Sequence, residues 1–162
     1  VWLGVNLITA LIAVYFIGLF EATLQQKIAL AILMPVVASM GGIAGTQTLI
    51  IVTRGIATGK VTTANIKALI NKEVAVSGLN GIIWSLVIGL ITYYWFSDLL
   101  LSLIIALAII TNLIVAAFSG AFLPLLLSKL RIDPALAGGV ILTTITDVIG
   151  FVAFLGLAAL FI

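Results

Sequence analysis

The chain has 162 residues, of which 64% are apolar and 7% charged, with a mean hydropathy of +1.45. A soluble domain carries about 25% charged residues, so the composition excludes one and points to an all-α integral membrane protein. A formal charge of +2 is no argument for nucleic acid. Without cysteine or histidine there is no disulfide framework, and any bound metal must be held by oxygen, which suits magnesium, calcium or manganese and disfavours zinc and copper.

Five apolar runs are each long enough to span a bilayer, for which about 20 residues are needed. They cover about 1–20, 28–53, 74–96, 99–127 and 135–162. The first opens at Val1 inside apolar sequence, without an initiator Met, and reads as a fragment. It lacks a basic start and a small-residue cleavage site, so it is not read as a signal peptide. The second holds Met34-Pro35 and then Gly41-Gly42-Ile43-Ala44-Gly45-Thr46-Gln47. A proline and three glycines predict a discontinuous helix, with a backbone carbonyl between Pro35 and Gly45 freed to face a cavity. A kinked, closely packed helix is the competing reading. Residues 62–73 place Ile66, Leu69 and Ile70 opposite Lys67, Asn71 and Lys72, which predicts a short helix along the interface.

The third run repeats Ser77, Gly81, Ser85 and Gly89 every four residues, a stripe that lets helices approach closely. Trp84 is expected to pack on a neighbouring helix. Tyr93-Tyr94-Trp95-Phe96 fits an aromatic belt, Trp2 an anchor at the other interface, and Ser97-Asp98 a tight hairpin. In the fourth run Pro124 should kink the helix. Asn112 there is either a pore contact or an interhelical hydrogen bond, with equal weight.

The fifth run contains Asp147, the only acid inside a long apolar stretch. A carboxylate at the bilayer centre costs about 2.5–3.5 kcal/mol on insertion scales, so its presence argues for function. At helical spacing Gly139, Thr143, Asp147 and Gly150 share a stripe, read as the wall of a polar path. The basic residues set the orientation. Arg54, Lys60, Lys67, Lys72, Lys129 and Arg131 fall in two loops on one side, against Lys27 on the other. The positive-inside rule puts the N-terminus in the cytoplasm and the C-terminus outside. No phosphate-cradling loop or catalytic triad is present, and one acid with no base or nucleophile beside it makes no enzyme.

Pro35 to Gln47, followed by Arg54-Gly55-Ile56-Ala57-Thr58-Gly59, resembles the second-helix signature of the MgtE family of magnesium channels and transporters. Asp133-Pro134-Ala135-Leu136-Ala137, with Thr143-Thr144-Ile145-Thr146-Asp147-Val148-Ile149-Gly150-Phe151, resembles its last helix. The resemblance covers the whole chain as the family's five-helix membrane domain. It implies a homodimer with a central pore lined by the second and fifth helices, in the plasma membrane. Asp147 falls on the family's ion-binding aspartate, and Thr143 on a position whose backbone faces the ion. With Gly139, Gly42, Gly45 and Asn112 they form the candidate metal set. Where the family has Gly-Gly-Asn-Ala-Gly, this chain has Ile43 at the amide position, which removes a polar side chain near the path. The family's cytoplasmic sensor is absent from these residues, so a cytoplasmic regulatory domain is a partner expected outside this chain.

The leading reading is therefore a divalent-cation channel or transporter in the lipid bilayer. Two aspartates across a dimer axis suit a hydrated Mg2+, which gives up water reluctantly; Mn2+ is the alternative, and Ca2+ would want a richer oxygen shell. A Na+- or H+-coupled exchanger and a non-transporting dimerisation or anchor domain are the competing functions.

Overall fold

The computed structural model describes residues 2–62 and 64–162. Val1, the side chain of Trp2 expected as an interface anchor, and Thr63 of the expected 62–73 helix lie outside the described residues. Among the described residues six helices follow one another: α1 (Trp2–Gly18), α2 (Glu21–Gln26), α3 (Ile28–Ala57), α4 (Ile66–Phe96), α5 (Leu99–Lys129) and α6 (Pro134–Phe161). The chain is thus all-α. Helices α3 to α6 hold 28 to 31 residues each and are long and apolar enough to cross a membrane. At 1.5 Å per residue they reach roughly 42–46 Å, beyond the hydrocarbon thickness of about 30 Å. Helix α1, with 17 residues, is apolar but shorter.

Helix α5 is the axis. It packs against α3, α4 and α6, and its buried residues include Ile105, Ala108, Ile109, Asn112, Leu113 and Ala116. Phe154 and Leu155 of α6 and Leu30, Leu33 and Val37 of α3 close the same core. Helix α1 lies against α6, and Ala13 is its one buried residue among the described side chains. The helix ends follow local chemistry. Asp98 caps α5 by accepting from the Leu101 amide at 2.9 Å, and Ser97 (φ 50) closes α4 in the left-handed region. Asp133 accepts from the Ala135 amide at 2.9 Å, with Pro134 in the first helical position.

Three local expectations are overturned. Helix α3 runs unbroken from Ile28 to Ala57, across Pro35 and all three glycines. Two of the glycines, Gly41 and Gly45, serve close approach instead. A Cβ at Gly41 would collide with the Asn112 amide, and one at Gly45 would lie 3.0 Å from the Leu142 methyls and 3.2 Å from the Ala116 carbonyl. The expected 62–73 helix and the third span form one helix from Ile66, because no proline or glycine interrupts 66–76. Glu73 is accommodated there by the Thr48 hydroxyl, which donates to its carboxylate at 3.3 Å. Trp84 is 50% exposed rather than packed. Helix α4 meets α5 along the stripe Ser77, Gly81 and Ser85, and Trp84 sits off that stripe.

The basic residues segregate to the two ends. Residues 56–70 and 122–129 contribute to one cavity, so the two basic loops share an end of the bundle. At the opposite end Lys27 and Asp98 form an ion pair, joining the start of α3 to the α4–α5 turn.

Candidate functional site in the groove between α3 and α6

Helices α3 and α6 pack together, and along one side they leave an open groove of about 490 Å3. Its α3 wall carries Ser39, Gly42, Ile43, Thr46 and Gln47, which share a face at spacings of three and four. Its α6 wall carries Thr143 and Asp147, one turn apart. Asp147 is half-buried, and among the described residues its carboxylate has no hydrogen bond or ion-pair partner on the chain. A Cβ at Gly42 would meet nothing within 4 Å, so this glycine keeps the floor of the groove open.

The hydroxyls on both walls are oriented by their own helices. Thr46 donates to the Gly42 carbonyl at 2.7 Å, and Thr143 to the Gly139 and Val140 carbonyls at 3.1 Å. This is the usual back-bonding of threonine inside a helix. Among the described residues no three acids, histidines or cysteines cluster. One groove therefore offers a single carboxylate and a set of neutral oxygens, chemistry suited to an ion that keeps part of its water.

The expected site residues separate into two groups. Asp147, Thr143 and Gly42 line the groove, and the Gly139 carbonyl lies behind the Thr143 hydroxyl. Gly45 and Asn112 do not line it. Gly45 packs against Leu142 and the backbone of α5. Asn112 is fully buried and donates to the Val37 carbonyl at 2.8 Å, which decides for the interhelical bond over the pore contact. Gly150 leaves the expected stripe too: a Cβ there would stand 2.6 Å from the Asn112 amide. Ser39, Ile43, Thr46 and Gln47 line the groove without belonging to the expected metal set. Their spacing around Gly42 is the signal that places them on its face.

A sequence profile described as a divalent cation transporter, MgtE, matches residues 34–157, from the second turn of α3 nearly to the end of α6. The chain belongs to the MgtE family. It is 35% identical over 161 residues to the magnesium transporter MgtE of Bacillus subtilis, covering 99% of this chain and 36% of that protein. Against the magnesium transporter MgtE of Thermus thermophilus it is 31% identical over 160 residues, 98% of this chain and 35% of that protein. Its counterpart in Enterococcus faecalis is 28% identical over 160 residues, 99% and 35% respectively. The chain thus spans about a third of the length of the curated relatives it matches. The MgtE match takes in both walls of the groove.

Proposed function

We propose that this chain is the membrane part of a divalent-cation transporter that carries Mg2+ across the plasma membrane. Asp147, open in the groove between α3 and α6 and without a partner among the described residues, carries the reading. The names of the MgtE relatives support magnesium as cargo. Thr143 and the Gly139 and Gly42 backbone would complete the ion path. A single groove holds one carboxylate, so charge balance for a dication favours two copies. The homodimer would set two Asp147 side chains across a shared axis, with a hydrated ion between them. The exposed face of α3, including Ile43 at 58%, supplies apolar surface beside the groove for such a partner.

Helix α1 would be the fifth span. The segregation of charge supports a cytoplasmic N-terminus. Six cations gather at one end, and the single one at the other is paired with Asp98. Because a carboxylate must be deprotonated to hold a metal, ion binding should weaken as pH falls.

Divalent flux into proteoliposomes tests the reading. Asp147→Asn keeps the size and removes the charge, so flux should fall at least tenfold with the fold retained. Flux at the wild-type rate would refute the assignment. A requirement for an imposed sodium or proton gradient would identify a coupled exchanger.

A further inference from the structure

A cavity of about 680 Å3 lies away from the groove of Asp147, between the end of α3 and the start of α4. Arg54, Lys60 and Lys72 line it together with Asn65, and no acid is among its lining residues. Among the described residues the only ion pair is Lys27–Asp98, so these three cations have no carboxylate partner. Glu73, next to Lys72 in sequence, takes its hydrogen bond from Thr48 instead.

The link that carries Lys60 is a built turn. Gly59 has φ +69, a left-handed conformation that disfavours a side chain. The amides of Lys60 and Val61 both donate to the Gly55 carbonyl, at 2.9 and 3.0 Å. Asn65 donates to the Lys60 carbonyl at 2.7 Å and accepts from the Thr62 amide at 2.8 Å. Lys60 is therefore held near Arg54 and Lys72 by backbone geometry. One wall of the cavity is apolar, with Ile51, Ala68 and Leu69. One turn from Arg54 and Lys72 on the same helices, Ile50 and Val76 are exposed apolar residues. The cavity lies at the end of the bundle where these helices leave the apolar layer.

We propose that this cleft binds the headgroup of an anionic phospholipid. Its phosphodiester would sit among Arg54, Lys60 and Lys72, and its acyl chains would follow the apolar wall into the bilayer. Arginine engages phosphate oxygens through a planar fork, and lysines add point charges. Basic pockets between spanning helices are suited to such headgroups. The volume exceeds what an inorganic anion needs, and the apolar wall has no use for one. The site is independent of the ion reading and stands if the groove carries no ion.

Native mass spectrometry of the purified chain from mixed phosphatidylglycerol and phosphatidylcholine nanodiscs tests it. The chain should retain phosphatidylglycerol selectively. In R54Q/K60Q/K72Q that selectivity should fall about tenfold or more, since each cation at an anionic surface contributes measurably. K67Q/K129Q/R131Q removes the same charge at the same end outside this cleft and should change it less than about twofold. Ala68→Trp fills the cleft without altering charge and should also lose selective retention. An equal fall in both triple variants would overturn the proposal in favour of diffuse surface attraction. Displacement of the lipid by inorganic phosphate would overturn it in favour of a free anion, and full retention by Ala68→Trp would overturn the placement.

Discussion

Gly41 and Gly42 are neighbours on one helix and have opposite surroundings. Gly41 faces the seam where α3, α5 and α6 meet, and a methyl there would strike the Asn112 amide. Gly42 faces the groove, and a methyl there would meet nothing within 4 Å. One step of about 100° around the helix separates a position set by packing from one that faces the open groove. A pair of glycines in an apolar run can therefore serve two purposes at once, and only their partners tell which is which.

The largest stability effect should come from the seam's polar key. Asn112→Ala removes the bond to Val37 and leaves a small void, a loss of about 2–3 kcal/mol, read from unfolding in detergent. Gly41→Ala should follow. Overpacking of about 1–3 kcal/mol is offset by about 1 kcal/mol of helix propensity, for a net loss of roughly 0–2 kcal/mol. The two lesions share one space, so the double variant should be less destabilised than their sum; strict additivity would break the picture of a wedged amide. Gly42→Ala should be neutral to stabilising, by up to about 1 kcal/mol. Its methyl would narrow the groove, so divalent flux in proteoliposomes should drop while stability holds. Loss of stability at Gly42 comparable to that at Gly41 would erase the distinction between the two faces.

The smallest effect lies far from both. The Leu101 amide and the Lys27 ammonium hold the Asp98 carboxyl below its usual range. A carboxylate with a depressed folded pKa contributes stability that is fully present above the ordinary value near 4. It is lost as pH falls through the lower folded value. Asp98→Asn should flatten that acid limb of the stability profile by lowering stability at pH 7 by less than about 1 kcal/mol, because partly exposed pairs contribute little, while at low pH the variant and the parent should converge.

The helical class and the four long helices were legible in the sequence, because apolar length and the near absence of charge leave few alternatives. So was the pairing of Asp147 with Thr143 on one face, since helical spacing decides it. The continuity of α3 was not. Proline and glycine report that a helix is able to break, but not what packs against it, such as Asn112, which bonds the Val37 carbonyl from 75 residues away in the chain. The join of residues 66–73 to the third span was hidden for a similar reason. Lys72 and Glu73 look like a boundary until Thr48 of another helix takes up the carboxylate. Asn112 itself stood evenly between two roles, and the glycines at 41 and 150 that receive it decide for packing.

The wedged amide also has a mechanical consequence. Asn112 on α5 bonds α3 and abuts Gly150 of α6, so it acts as a gauge block between the two walls of the groove. Sliding either wall would have to pull that block from its slot. Nearby, Gly120 of α5 lets the Gly45 carbonyl come close, a second point of registry between α5 and α3. The aperture within one chain is thereby a fixed dimension, like the jaw of a set spanner. In the proposed homodimer, a passage that has to widen or narrow would do so by whole bundles rocking against each other, not by the helices within one.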